Sequence, residues 1–558
     1  VILEDIARHA ALRGEKPCLV HWEHGSAEVL TFSDLALMSD RLAGAVRRLA
    51  RPGSSGVVLI VLKHHVLQLP LFVGCMKAGF IPCFLPFPSA KQDPALYWKT
   101  HAEVVTRSAP ALVVTYAALL DGLQAIARAS GAPVADVLAL DGDATAFPLP
   151  DPDGIALLQH SSGTTGLKKG VALTYVQIAR QAASYAVATG LGSDSIVVSW
   201  LPYYHDMGLF TAFLIPLTIG ATIVSMDAFE WVLQPCSILD LVARFHGTHC
   251  WLPNFAFAHI VSTTPDDRSF DLSSLEALVS CAEPVRAGTL AAFLDRFAGS
   301  GLEAATLKAC YAMAETCFAM SQTARGRGHD VTWYDAALIA RHGRAVRRGE
   351  GDPGALPYVS NGRPIAGIEV RILPSPSASQ GDPSQGVPVG EIAVRGSFVF
   401  DSYFANPRAT AEAFDGDWYK TGDIGFIDDG EIYISGRLKD LLIVHGRNYH
   451  AHDIEAAVGA VDGIVPGRVV ALGVASEVSG SEEAIILAET DAPVALHGDL
   501  RRAVKRRVHG ALDLTPHKVA FVPRGALVKT TSGKISRSEN LARFRSGGFD
   551  ASTEDKNA

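Results

Sequence analysis

Residues 158–171 read Leu-Gln-His-Ser-Ser-Gly-Thr-Thr-Gly-Leu-Lys-Lys-Gly-Val. An apolar run ends there, and Ser161, Ser162, Gly163, Thr164, Thr165 and Gly166 follow, with Lys168 and Lys169 beyond. Glycines let successive backbone N–H groups turn toward one point, and hydroxyl and ammonium groups add further donors. The stretch therefore makes a cradle for phosphate oxygens. The spacing G-x-x-x-x-G-K-[ST] is absent, which sets the loop apart from the generic P-loop ATPases. An ordinary polar turn is the plain alternative, and the length and order of the donors weigh against it. Elsewhere His205, Glu315, Asp423 and Lys534 sit in short polar motifs. Taken singly, each is an unremarked surface carboxylate or lysine, or a satisfied loop histidine.

Taken together they carry a resemblance. The loop is similar to the signature of the adenylate-forming superfamily of acyl-CoA synthetases, peptide-synthetase adenylation domains and luciferases. Lys168 stands where that family has proline, and the family's lysine falls on Lys169. The remaining motifs follow in the family's order. The Ser-Trp-Leu-Pro-Tyr-Tyr-His-Asp-Met-Gly-Leu run at 199–209 resembles the segment whose histidine, here His205, gates the acyl pocket. Ala282, Glu283 and Pro284 resemble the stretch beside the adenine. Tyr311, Ala312 and Met313 lead to Glu315, and the resemblance puts the tyrosine on the adenine and Mg²⁺ on the glutamate. Asp423 is implied to bind the ribose hydroxyls, Arg437 to join the nucleotide site, and Lys439 to be the pivot between a large and a small domain. Lys534 matches the mobile catalytic lysine. These seven motifs run from 158 to 534, so the resemblance covers essentially the whole chain.

The implied reaction joins a carboxylate to the α-phosphate of ATP. Two unit charges ~4 Å apart repel by about 4 kcal/mol at an effective dielectric near 20. Mg²⁺ on Glu315 and the ammonium of Lys534 are the cations available to offset that. Asp423 orients the nucleotide for in-line attack, and the loop at 161–170 holds the leaving pyrophosphate. A lysine on a separate small domain suggests gating by domain motion.

Within the family, several details resemble fatty acyl-AMP ligases. They include Leu158-Gln159 before the loop, the 199–209 run, Pro253-Asn-Phe-Ala-Phe257, Ala314-Glu315, and the run from Lys439 to Asn448. The polar, basic segment 321–358 looks like that subgroup's insertion, which restrains the small domain and disfavours CoA thioesters. The acceptor is then the phosphopantetheine of an acyl carrier protein. A solvated loop without mechanistic weight is the alternative for this segment. A true acyl-CoA synthetase using CoA, and a non-catalytic adenylate-binding protein, are the competing readings of the chain; retention of Lys534, Glu315 and Asp423 argues against the latter. Cys281 and Ala312 stand where the family has glycine, and His450-Ala451 replaces its Tyr-Pro. Those departures leave room for an acid other than a plain long-chain fatty acid, including a cyclic or terpenoid-derived one.

The elements that must position these residues are legible as alternation. Apolar runs at 57–62, 111–115 and 155–159 are each followed by an amphipathic stretch, at 68–78, 118–129 and 176–188. This predicts an α/β fold with largely parallel sheets. The family resemblance sharpens it to a large N-terminal domain of two doubly wound sheets plus a small β-region, with a small mobile α+β C-terminal domain. The expected boundaries are 1–436, a hinge at 437–439, 440–545, and a frayed tail at 546–558. Thr31 is placed to cap a helix over 34–49. Residues 373–389, rich in Pro, Ser and Gly, read as a flexible hairpin or loop.

The chain has 558 residues, 48% of them apolar and 19% charged, which is enough for large cores. Its formal charge of −9, from 49 basic and 58 acidic residues, comes without a basic stripe and argues against nucleic-acid binding. Eight cysteines without a C-x-x-C pair read as reduced, buried thiols, which suggests a cytoplasmic protein. The first residues lack the basic region and cleavage site of a signal peptide, and the absent initiator methionine suggests a trimmed chain. Residues 209–226 carry no charge but include Pro216 and Gly220. They read as a buried helix followed by a strand at 221–225, with no membrane span.

Overall fold

The structure is a computed structural model that describes residues 2–88, 94–144, 147–160, 169–374, 386–444, 447–476, 481–529 and 535–549. Four- and five-residue runs of fully buried, largely apolar side chains form parallel strands, as sheets covered on both faces require. A nine-stranded sheet has the order Arg363–Pro364, Ala319–Gln322, Leu307–Ala312, Ala277–Cys281, His249–Pro253, Ile196–Ser199, Thr222–Met226, Pro17–Glu23, Ser26–Thr31. Its centre is parallel, and antiparallel strands close both ends. A second sheet, Ile81–Phe84, Val57–Ile60, Leu112–Thr115, Val134–Asp136, is parallel throughout. The helices expected between strands are present as Gln68–Lys77, Leu120–Ala127 and Tyr175–Thr189. Thr31 caps the helix Phe32–Leu49 in a capping box with Asp34.

A third, antiparallel sheet joins Ile368–Pro374, Gly390–Gly396, Trp418–Asp428, Phe414–Asp415 and Glu431–Arg437. The small C-terminal part has its own core. The sheet Ile464–Ser476, Ser481–Thr490, Lys518–Val522 packs under the helices Ala451–Gly459 and His497–Leu512. The architecture is thus the expected α/β arrangement of a large N-terminal and a small C-terminal domain.

The uncharged stretch 209–226 forms a helix in three parts: Asp206–Leu209, a π-helical turn over Phe210–Leu214, and Ile215–Ile219, with the strand Thr222–Met226 after it. No helix among the described residues is long and apolar enough to cross a membrane. The polar segment 321–358 is not a loop. Ser321 and Gln322 belong to the nine-stranded sheet, while Val331–Asp335, Arg347–Arg348 and Ala355–Val359 form a sheet of their own beside the helix Ala336–His342. Tyr334 drives the docking of this unit, because it is wholly buried against Phe426 and Tyr433 and its hydroxyl donates to Asp428 at 2.7 Å. The fraying expected from Ser546 does not begin there. Phe549 is buried in the small domain with Arg543 over its ring, so an aromatic anchor overrides the glycines before it. Residues 550–558, and the 375–385 part of the segment expected to be flexible, lie outside the described residues.

Candidate active site

The carboxyl ends of the parallel strands supply most of the site, as open α/β sheets do for their ligands. Tyr311 and Ala312 end the strand Leu307–Ala312, and Glu315 lies three residues on. Ala282, Glu283 and Pro284 follow the strand Ala277–Cys281, and His205 and Asp206 follow Ile196–Ser199 after a short loop. Asp423 and Arg437 come from the third sheet, where they are register partners on neighbouring strands.

Glu315 is buried. The Tyr403 hydroxyl donates to its Oε1 at 2.9 Å, and the Phe400 N–H donates to its backbone carbonyl at 2.8 Å. Burial pushes the carboxyl up from its ordinary value, the Asp206 charge adds to that, and the Tyr403 hydroxyl and Arg437 work against it. The Lys169 ammonium sits 4.5 Å from the centre of the Tyr403 ring. Lys169 therefore reaches the glutamate's hydrogen-bond partner across the sheet, since Tyr403 pairs with Val171.

Glu315 occupies a tight local fold. Phe318 N–H donates to the Thr316 carbonyl at 2.6 Å, and Cys317 between them has φ +60° and ψ −63°. This is the rare γ-turn, a strained conformation found where surrounding structure enforces it. Gln181 and the Phe398 carbonyl supply that enforcement, the first accepting from Phe318 N–H at 3.2 Å and the second from the Cys317 thiol at 3.4 Å.

Asp423 is buried and doubly bound. The Tyr311 hydroxyl donates to Oδ2 at 2.6 Å, and Arg437 Nε lies 3.0 Å from Oδ1. Asp423 holds the Arg437 guanidinium above its ordinary value. Tyr311 is thereby fixed at the end of its strand, with burial first and then the Asp423 charge keeping its hydroxyl protonated.

The segment at 282–286 is pinned to the helix Asn254–Thr263. Glu283 accepts from the Phe255 N–H, and Asn254 Oδ1 accepts from the Arg286 N–H at 3.0 Å. The left-handed backbone of this segment falls on Ala282, with φ +70°, rather than on Cys281. An L-residue there costs roughly 1–2 kcal/mol relative to glycine. Cys281 turns its thiol into the sheet, 3.5 Å from that of Cys310, and none of the eight cysteines forms a disulfide.

Glu315, Asp423, Tyr311, Arg437 and Lys169 thus converge. Residues 161–168 and Lys534, the core of the phosphate cradle and the catalytic lysine in the sequence reading, lie outside the described residues. On either side of the lysine segment, Lys529 and Ile535 pair antiparallel. Lys439 lies in the short helical turn Leu438–Asp440, and Asp440 is bound by Arg537 of the small domain at 2.5 Å. Sequence reasoning assigned no role to Tyr403 or Asp206. Tyr403 carries no local signal, since only the pairing of its strand with Gly170–Thr174 brings it to the glutamate. Replacing Tyr403 with phenylalanine removes a bond that favours the ionised carboxylate. If turnover needs Glu315 ionised, the acid limb of a pH–rate profile should move to higher pH. An unmoved limb would assign it to another group.

The profile of the AMP-binding enzyme family matches residues 6–404. A long-chain-fatty-acid–AMP ligase, FadD26 of Mycobacterium marinum, is 30% identical over 94% of this chain and 93% of its own length. A medium-chain-fatty-acid–[acyl-carrier-protein] ligase, JamA of Moorena producens, is 32% identical over 71% of this chain and 69% of its own. A solved structure from a study of fatty acyl-adenylate ligases from E. coli and L. pneumophila superposes with a TM-score of 0.86 at 23% identity, covering 99% of this chain and 98% of that one. With its parallel-sheet edge, its buried glutamate and its paired aspartate and arginine, the chain belongs to the AMP-binding enzyme family.

Proposed function

We propose that this protein joins a hydrophobic carboxylic acid to AMP with release of pyrophosphate, and that the acyl group passes to the phosphopantetheine of an acyl carrier protein rather than to CoA. The named activities of FadD26 and JamA support both halves of the reading. Tyr311 and the 282–284 segment frame the adenine, Asp423 takes the ribose, and residues 161–166 with Lys169 take the phosphates.

Mg²⁺ fits the donor set. The cation takes one or two protein carboxylates and completes its shell with phosphate and water. Glu315 is one such carboxylate, with one oxygen oriented by Tyr403 and with Asp206 close enough to act on its charge. When bound, the ion would supply positive charge to the phosphate oxygens. Lys169 and Lys534 supply the chain's own positive charge, and Asp423 orients the sugar so that the α-phosphate faces the acid.

The observation that carries the choice of acceptor is the placement of the 331–359 unit. Tyr334 and Arg347 fasten it to the third sheet at Asp428. Its helix Ala336–His342 reaches the small domain, where Arg341 and Arg447 share Asp513 at 3.2 and 2.7 Å. These ion pairs are exposed and screened by solvent, so each adds little by itself. The buried Tyr334 cluster makes the anchor firm, so the unit ties the small domain to the large one. A tie of this kind opposes the domain rotation that a thioester-forming step would need.

Incubation with ATP, Mg²⁺, CoA and a pool of carboxylic acids, read by mass spectrometry, tests the proposal. Acyl-AMP should accumulate while CoA stays free. Excising the helix Ala336–His342 should raise acyl-CoA formation. Acyl-CoA as the main product of the intact protein, or no gain on excision with fold and adenylation preserved, would overturn the assigned role of this unit.

A further inference from the structure

We propose that Arg286 is a positioning residue: it clasps the small domain to the segment 282–286 and so holds that domain in the posture that forms acyl-AMP. This rests on the acid-activating reading above. Arg286 is the last residue before the helix Ala287–Phe297. Its own N–H is fixed by Asn254 Oδ1 at 3.0 Å, so its backbone is part of the bracket that Glu283 and the Phe255 N–H also close. Its side chain leaves that bracket. Nη2 donates to the His452 carbonyl of the small domain at 3.0 Å.

His452 belongs to a short stretch that also touches the far side of the site. His450 ends the strand Arg447–His450, and the helix Ala451–Gly459 starts directly after it. The rings of His450 and His452 both lie against Gly436. A Cβ there would come within 2.5 Å of His450 Nδ1 and 3.0 Å of His452 Cε1. Gly436 precedes Arg437, which binds Asp423. Residues 450–453 therefore touch the adenine-side segment at Arg286 and the strand that supplies Arg437 at Gly436.

The clasp is charged as well as hydrogen-bonded. Asp453 lies in the first turn of the helix Ala451–Gly459, with His452 Nε2 3.2 Å from its Oδ1. Burial alone would raise its carboxyl, but His452, His450 and Arg286 together hold it down at about 2. The carboxylate is therefore ionised, and Arg286 is the one of the three that carries its charge at every ordinary pH. The guanidinium thus bonds a carbonyl of the small domain and bears on a carboxylate of the same domain.

The place of this contact separates it from plain adhesion between domains. The exposed pairs at Asp513 join the small domain to the 331–359 unit, whereas Arg286 joins it to the segment assigned to the adenine. An arginine beside a nucleotide often takes a phosphate oxygen; here Nη2 is committed to the small domain. That domain carries Lys534, so a change in its posture displaces the ammonium from the reacting phosphate.

The test uses the full chain with Arg286→Ala, Arg286→Lys and Asp453→Asn, each checked by thermal unfolding. Amide hydrogen exchange reads the clasp, and single-turnover acyl-AMP formation reads its consequence. In Arg286→Ala, exchange in peptides covering 447–459 should speed up, while the strand Ser481–Thr490 keeps its native exchange. The rate at saturating ATP should fall by about tenfold or more with KM for ATP within about twofold of native, the signature of a misplaced group rather than a lost substrate contact. Arg286→Lys, which keeps the cation and a donor, should recover most of the rate, and Asp453→Asn should show part of the loss. Native exchange and a native rate in Arg286→Ala overturn the proposal. A raised KM for ATP at native exchange overturns it too, by making Arg286 a nucleotide ligand. If Arg286→Ala does not fold, native exchange and a native rate in Asp453→Asn overturn it in its place. Absence of acyl-AMP with every acid overturns the acid-activating reading, and the exchange arm alone then decides whether the clasp exists.

Discussion

Replacing Asp423 with alanine is expected to cut kcat/KM for ATP by about 10²-fold or more and to lower the melting temperature at the same time. The catalytic loss follows from positioning, since a misplacement of about 1 Å costs about that factor. The stability loss has a separate origin. Alanine leaves the buried Tyr311 hydroxyl without its acceptor at 2.6 Å, and an unsatisfied buried group costs roughly 1–3 kcal/mol. Arg437 adds less, because its side chain is half exposed and water replaces the carboxylate. Asp423→Asn separates the two effects. The amide presents an acceptor to Arg437 and leaves a donor that the Tyr311 hydroxyl can accept, so most of the stability should return while ATP use stays impaired. Thermal unfolding and exchange kinetics on both variants read this directly. Native kinetics in Asp423→Ala would remove the aspartate from the nucleotide site.

The second large effect is expected at Lys534. Alanine there should leave folding intact and lower the adenylation rate by about 10²–10³-fold, the usual consequence of removing one group aimed at charge in the transition state. Folding should survive because the core of the small domain is built from other residues, with Val504, Val508, Ile486 and Phe521 at its centre. Circular dichroism paired with single-turnover acyl-AMP formation gives the comparison. An unchanged rate would refute the role.

Much of the fold was legible because parallel strands buried on both faces must be short apolar runs, and 57–62 and 111–115 have that form. The capping box at Thr31 and Asp34 was equally readable, being local. The site was legible only as motifs in order. Chemistry alone marks Glu315 or Asp423 as no more than acidic residues, and it is the bringing together of Tyr311, Asp423 and Arg437 across three strands that gives them partners. Tyr403 was opaque. Tyr403 acts through a long-range strand pairing that leaves no periodicity. The segment 321–358 was read as an insertion from its polar, basic composition, but its folding as a sheet and helix at 331–359 was not legible, because one aromatic residue, Tyr334, holds it down.

Arg437 ends the last strand of the third sheet, and the next three residues, Leu438 to Asp440, lead into the small domain. The guanidinium that binds Asp423 therefore belongs to the same short piece of chain about which the domains would turn. Were the domains to turn at this segment, a ligand that competed with Arg437 for Asp423 would alter the balance between their orientations, and reciprocity would fix the return effect. The factor by which sugar binding favours one orientation is the factor by which that orientation favours the sugar. Were the domains to turn there, a substitution at Arg437 that weakened this coupling would lower the two factors equally.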